Sequence, residues 1–342
     1  LEQKLTSILR VMEQNGIKID KPYFEKLGSE MAKEIKQTEE KVYKRANKEF
    51  NISSTQQLSV VLFEDLGISP RRLKKTPKGV ISTASPELEK IQHEHPIVKS
   101  ILIYRELKKL YTTYVKPLPT MADENDRLHT HFDQLGAATG RISSSDPNLQ
   151  NIPNQGEWGK RIRKGFIAEK GFQLVSFDYS QIELRIASHM SGDKKMKEFF
   201  DAGADIHQMT AAEVFSIDKS EVTDQMRFRA KALNFGVLYG MGARGFALSA
   251  GIPIGEAEDF IENYFVRFPQ IHEYMENMKE FAREHGYVET MFGRKRYIPE
   301  IGSTTPQLRA AAERMAINHP IQGSAADIMK MAMVSVGEKI GV

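Results

Sequence analysis

The segment Thr139-Gly-Arg-Ile-Ser-Ser-Ser-Asp-Pro-Asn-Leu-Gln-Asn-Ile-Pro153 constrains the chain more than any other. It is too rich in turn formers for a helix and longer than ordinary connections in compact domains. Its Ile142, Leu149 and Ile152 supply apolar anchors, so it reads as a long ordered loop of the functional kind. Before it, residues 1–117 read as mostly helical, with amphipathic spacing in Leu5, Ile8, Leu9 and Met12 and again in Ile101, Leu102, Leu107, Leu110 and Tyr114. Pro117 and Pro119 close that region, and from Arg127 the pattern shifts to short strands and loops.

Beyond the loop, Phe172-Gln-Leu-Val-Ser-Phe177 reads as a buried strand ending at Asp178, followed by a helical pattern through Ile182, Ile186, Ala187 and Met190. Residues 193–300 return to helix, and Gln307–Lys339 is a long helical pattern expected to break near His319-Pro320 and Gly323. The expected class is α+β. At 342 residues, two or three lobes are expected.

Several function classes fall away. No apolar run reaches about 18 residues, which excludes a transmembrane helix, and Leu1–Asp20 is too charged for a secretory signal. With no cysteine there is no disulfide framework, thiolate zinc site or cysteine nucleophile, so any metal must bind oxygen or imidazole. That usage suits a reducing cytosol. No P-loop, H-E-x-x-H or G-x-S-x-G occurs. Charge is unevenly distributed: residues 1–117 hold 22 Lys and Arg against 15 Asp and Glu, whereas 118–342 hold 26 against 30. A polyanion is the natural partner of the first third. Arg71, Arg72, Lys74, Lys75 and Lys78, set among Pro70, Pro77 and Gly79, could grip phosphates or form a solvated charged loop.

Two constellations could carry chemistry. Asp178-Tyr-Ser-Gln-Ile-Glu-Leu-Arg185 offers Asp178 at a strand end and Glu183 soon after in the helix. A carboxylate so placed suits Mg²⁺, which takes one or two protein carboxylates plus substrate phosphates, although Asp178 could equally cap the helix. Arg227, Lys231, Phe235 and Tyr239 recur every four residues and so share one helix face. Two cations a turn apart can hold a triphosphate while the rings stack on a base; the alternative is a solvated cationic start to a buried aromatic stripe. Gly240-Met-Gly242-Ala-Arg-Gly245 matches G-x-G-x-x-G but follows a helix rather than a strand, so it reads as a turn. His129 and His131 read as surface strand residues and Trp158 as packing.

Taken together, these segments resemble the family A DNA polymerases, the bacterial DNA polymerase I type. The loop 139–153 is similar to the family's primer-template contact segment, Asp178–Arg185 to its motif A and Arg227–Gly240 to its motif B. Phe292–Tyr297 and Arg314–Gly323 resemble two further family segments. The resemblance implies a right-hand fold: thumb with an N-terminal palm-base helix over 1–117, first part of the palm with its antiparallel sheet over 118–192, helical fingers over 193–300, and a return to the palm over 301–342. The basic thumb would wrap the duplex.

It also implies template-directed transfer of deoxynucleotides to a primer 3′-hydroxyl, in replication or repair, with two Mg²⁺ ions. By resemblance, Asp178 and the Tyr179 carbonyl are metal ligands, and Arg227 and Lys231 hold the triphosphate, with Lys231 protonating the leaving pyrophosphate. Gln181 and His207 would contact the nucleotide, Glu183 would exclude a 2′-hydroxyl, Phe235 would stack, and Tyr239 would guard the templating position. Phe rather than Tyr at 235 implies discrimination against dideoxynucleotides. Arg141, Asn148, Gln150, Asn151, Arg314, Asn318 and Gln322 would contact primer-template DNA. Expected partners are primer-template and deoxynucleoside triphosphates, with no membrane; a monomer and a cytoplasmic, nucleoid-associated location follow from the family.

The pattern departs from the family at one point. Motif C, a His-Asp-Glu triplet carrying the second metal-binding Asp, should follow the Gln322 segment, but no His-Asp pair occurs anywhere. The expectation is a polymerase truncated before motif C, with the palm incomplete. The alternatives are a non-catalytic fragment that binds primer-template without extending it, and a single-subunit RNA polymerase, which Glu183 and the Arg141 loop disfavour.

Overall fold

The computed structural model describes residues 1–71, 73–76 and 79–341. The chain is α+β and mostly helical, with short antiparallel strand pairs, and it divides into two compact units. Of the basic run, Arg72 and Lys78, like Pro77, lie outside the described residues.

The first unit comprises Met12–Phe132 and Ser144–Val175. Helix α1 (Lys21–Ala46) begins where the Asp20 carboxylate accepts the Tyr23 N–H at 2.9 Å, and it stops where Asn47 turns left-handed at φ 52°. Phe24, Leu27, Met31, Ile35 and Val42 recur every three, four or seven residues and are all buried. They pack on α2 (Pro96–Leu110) through its Ile97, Ile101, Tyr104 and Leu107. Strand β1 (Ile17–Lys18) pairs antiparallel with β2 (Arg127–Leu128). Gly16 precedes β1 at φ 57°, where a Cβ would lie 2.5 Å from the Leu128 carbonyl oxygen, so only glycine fits. The expected anchors Leu149 and Ile152 do pack on this core.

Phe172–Phe177 departs from expectation. It is not a buried strand but irregular chain, with Phe172, Leu174, Val175 and Phe177 between 58% and 91% exposed. A strand lasts only when its backbone groups find partners and its apolar side chains find cover. No strand among the described residues pairs with this segment. Asp178 accordingly stands in exposed irregular chain rather than at a strand end.

The second unit comprises Leu1–Val11, Asp133–Ser143 and Ser176–Val342. It contains α3 (Ile182–Ser191), α4 (Ile206–Phe215), α5 (Asp224–Leu238), the hairpin β3 (Tyr287–Glu289) with β4 (Lys295–Tyr297), and α6 (Pro306–Ile340). Leu184, Leu233, Val237, Phe246, Phe260, Tyr264, Phe268, Ile317 and Ile321 share one core. The glycine-rich stretch after α5 is a turn, as the sequence implies: Gly240 is left-handed at φ 64° and Gly242 begins the helix Ala243–Ala250.

Helix α6 does not break at His319-Pro320. Proline in a helix interior costs about 3 kcal/mol through its missing N–H and a clash. Ala316, Ile317, Ile321 and Ala325 are buried around it, which offsets that cost at roughly 25 cal/mol per Å² of apolar surface. Gly323 marks a close approach instead, since a Cβ there would meet Thr290 Cγ2 at 2.5 Å. No helix among the described residues is long and apolar enough to cross a membrane.

One charged cluster ties the second unit's segments together. Asp327, 2% exposed on α6, receives Arg294 at 2.8 and 2.7 Å and the Thr290 hydroxyl at 2.8 Å. Arg294 also reaches Glu2, which accepts Lys330 at 2.9 and 3.0 Å. Lys330 is itself 1% exposed. Removing one member of such a set strands a buried charge. Asp327→Ala should therefore cost about 3–5 kcal/mol in urea unfolding.

His319 is also buried on α6, and neither ring nitrogen has a hydrogen-bond partner among the described residues. Burial, and then Arg296 and Arg294, push its pKa down to about 4 from an ordinary 6.5. The unfolded chain therefore binds a proton below pH 6.5 that the folded chain refuses until about pH 4, and stability falls as pH drops through that window. Between pH 7 and about pH 5 the loss from His319 should be roughly 2 kcal/mol. Denaturant titrations of His319→Leu at both pH values should show a correspondingly smaller loss.

Candidate active site

Helix α3 begins without a side-chain cap: its first-turn neighbour Gln181 is left-handed at φ 55° and Asp178 does not cap it. The capping role open to Asp178 in the sequence is thus not taken. Its carboxylate is exposed and has no hydrogen bond or ion pair among the described residues, and Tyr179 beside it is 48% exposed. An exposed oxygen pair of this kind suits a hard cation that completes its shell with water and substrate phosphates. No cluster of three His, Cys, Asp or Glu occurs among the described residues, so Asp178 stands alone as the acidic donor.

Glu183, in the first turn of α3, gathers two of the residues singled out in the sequence. One of its oxygens accepts the Arg141 guanidinium and the other accepts the Tyr239 hydroxyl. Burial, then the Glu183 hydrogen bond, push the Tyr239 hydroxyl up to about pKa 12, while a hydrogen bond with Gln322 opposes them. Tyr239 is therefore a neutral donor, fixed at the end of α5 between α3 and α6. Arg314 joins from α6, with its Cγ 2.7 Å from where a Cβ on Gly240 would stand. Asn318 lies one turn further on, its Oδ1 buried and without a partner among the described residues. Arg141 is presented by Gly140, at φ 79°, whose missing side chain leaves room for the Arg294 guanidinium, since a Cβ there would lie 2.9 Å from the Arg294 Nε.

Along α5, Lys231 is exposed and has no ion-pair partner among the described residues, whereas Arg227 is engaged. Its Nε and Nη2 lie 2.8 and 2.7 Å from the Asp205 carboxylate. Asp205 also starts α4, accepting the His207 and Gln208 N–H groups at 2.9 and 3.2 Å. Burial works to raise its pKa, but Arg227 and those N–H groups hold it below the ordinary carboxylate range. His207 lies behind this pair, 3% exposed, with its ring centroid 5.7 Å from that of Phe235. The stripe Arg227, Lys231, Phe235 and Tyr239 thus does share one face, half-buried to exposed, beside a buried histidine.

Three expected nucleic-acid contacts have local duties in the first unit. The Asn148 Oδ1 accepts the Gln150 and Asn151 N–H groups at 3.1 and 3.2 Å, and the Asn151 carbonyl accepts the Tyr114 hydroxyl. Asn148 thus shapes the loop with its side-chain oxygen. Motif reasoning missed Asp205, Thr210, Asn234 and Arg294. Asp205 ahead of the helical run from Ile206 was a readable cap, and Asn234 was a polar residue among Leu233, Phe235 and Val237.

The family model for DNA polymerase family A matches residues 21–341. "DNA polymerase I, thermostable" of Thermus filiformis is 49% identical over 338 residues, covering 98% of this chain and 40% of the relative. DNA polymerase I of Deinococcus radiodurans is 45% identical over 341 residues, 99% of this chain and 36% of the relative. The chain therefore spans about 40% of the length of such relatives. Among solved structures, the "POL domain of Pol1 from M. smegmatis complex with DNA primer-template and dNTP" matches with a TM-score of 0.93 at 39% identity, covering all of this chain and 61% of that one. The α+β right-hand polymerase fold implied by the sequence is the fold shared with that structure. The chain belongs to DNA polymerase family A.

Proposed function

We propose that the chain carries the nucleotide-adding site of a DNA-directed DNA polymerase. The observation that carries this reading is the Glu183 junction, in which one carboxylate holds Arg141 and Tyr239 beside the exposed Asp178 and the cationic face of α5. The solved relative bound to primer-template and dNTP supports the same partners here.

In this reading the primer 3′-hydroxyl attacks the α-phosphorus of the incoming deoxynucleotide. The hydroxyl gives up its proton to solvent as the new P–O bond forms, the bond to the β-phosphate oxygen breaks, and pyrophosphate leaves. Lys231, exposed and without an ion partner, holds the triphosphate and gives the leaving oxygen its proton. Arg227 adds a fixed cation, oriented by Asp205. Phe235 offers a ring face to the base and Gln181 reaches the nucleotide from the start of α3. Glu183, tied down at both oxygens, leaves no room for a 2′-hydroxyl, which selects deoxyribose. Asp178, with the Tyr179 carbonyl, would hold Mg²⁺, which when bound supplies positive charge to the phosphates undergoing transfer. Arg141, Asn148, Gln150, Asn151, Arg314, Asn318 and Gln322 hold the primer-template, whose minor-groove acceptors vary little with sequence. The lobes are the thumb over 1–117, palm over 118–192 and 301–342, and fingers over 193–300, acting as a monomer in the cytoplasm.

The solitary acidic donor favours a second reading, in which this stretch of chain holds primer-template without extending it. Primer extension with Mg²⁺ and four deoxynucleotides, beside a gel shift on the same duplex, separates the two. Extension lowered at least about 10³-fold by Asp178→Ala, with the gel shift unchanged, is the expected result. A shift with no extension by the unaltered chain supports the binding reading, and neither signal refutes both. The Phe235 assignment has its own check. Phe235→Tyr adds a hydroxyl at the sugar side and should raise dideoxynucleotide incorporation about tenfold, the worth of one hydrogen bond.

A further inference from the structure

Behind the cationic face of α5, His207, which the family resemblance assigns to the nucleotide, closes a polar triad with two residues that have no role in the mechanism above. Asn234 and Thr210 are both 0% exposed and His207 is 3% exposed. The Asn234 Nδ2 lies 3.2 Å from the His207 Nδ1 and 3.0 Å from the Thr210 Oγ1. The Thr210 hydroxyl in turn reaches the Asn234 Oδ1 at 3.3 Å. These contacts join α4 to α5 through their buried faces, with His207 two residues after the Asp205 that holds Arg227.

The chemistry of the triad determines where the ring proton sits. An amide nitrogen only donates, so the His207 Nδ1 facing it must accept and carries no hydrogen. In a neutral imidazole the proton is then on Nε2. We infer that Asn234 is a positioning residue for nucleotide binding: it locks His207 in the neutral Nε2–H form, leaving one fixed donor for the acceptor-rich triphosphate. The inference rests on the nucleotide reading proposed above.

Neutrality follows from the surroundings. Burial is the main influence that drives the His207 pKa down to about 4; Asp205 opposes it, while Arg227 and Lys231 add to it. Those three are the charged groups that face the ring from α4 and α5. The site thereby gains a donor whose strength does not change across neutral pH, and the cationic work stays with Arg227 and Lys231. A protonated histidine beside two cations would weaken both, so a neutral donor is the form that adds to them.

The test uses the full chain with nitrogen-15-labelled histidine, with the ring signals assigned through His207→Gln. The His207 ring should be in the Nε2–H form from about pH 6 to about pH 8 and should shift when a deoxynucleoside triphosphate and primer-template are added. Asn234→Ala should release the tautomer and raise the KM for deoxynucleotide about tenfold, with kcat within about twofold. Asn234→Asp, which presents an acceptor, should protonate Nδ1 and make KM depend on pH over the same range. A His207 ring in the Nδ1–H or imidazolium form at neutral pH in the unaltered chain overturns the inference, whether or not the variants fold. So does a KM that Asn234→Ala leaves unchanged. A ring in the Nε2–H form that nucleotide leaves unmoved refutes the nucleotide reading itself, which separates that failure from the first.

Discussion

The Arg294–Asp327 pair is the interaction on which the second unit depends. A carboxylate 2% exposed on a helix is tenable only if its charge is met in place, and Asp327 meets it with two guanidinium contacts and a threonine hydroxyl. Arg294 brings the β3–β4 hairpin to α6, and through Glu2 and Lys330 the N-terminal segment Leu1–Val11 is held by the same charges. Each member is costly without the others, so the cluster acts as a register pin for three separate stretches of sequence.

That pin reaches the candidate active site by contact. Gly140 lies against the Arg294 guanidinium, and the Thr139 carbonyl oxygen would be 3.4 Å from a Cβ on Gly323 of α6. The loop is thus seated before Arg141 extends to Glu183, and Glu183 then fixes Tyr239 at the end of α5. Toward the other end of α5, Asp205 orients Arg227, and Asn234 with Thr210 orients His207. The arrangement is preorganised by charges and hydrogen bonds in a partly dry setting, where such contacts are strong and misplacement is costly.

The sequence disclosed the parts of this site unevenly. The loop 139–153, the cationic and aromatic stripe of α5 and the acidic pair of Asp178 and Glu183 were legible because each is a local pattern of residue type and spacing. Pro320 misled because a local rule says that proline ends a helix, while the cost is only about 3 kcal/mol and buried neighbours on α6 outweigh it. Phe172–Phe177 misled for the opposite reason. Its apolar run is the right composition for a strand, but strand formation is decided by a pairing partner, which no local pattern reveals.

What the sequence determined by itself was the local chemistry: which helices form, where their caps and left-handed turns fall, and which side chains could bind phosphate, metal or base. These follow from backbone propensity and from spacing within a few turns. Only the tertiary structure decided which polar groups meet. That Asp205 engages Arg227, that Asn234 donates to His207, and that Asp327 is the buried partner of Arg294 depend on contacts between residues 22, 27 and 33 positions apart. Pairings over such separations are selected by the packed core as a whole, because a buried polar group must find whichever partner the fold brings within reach.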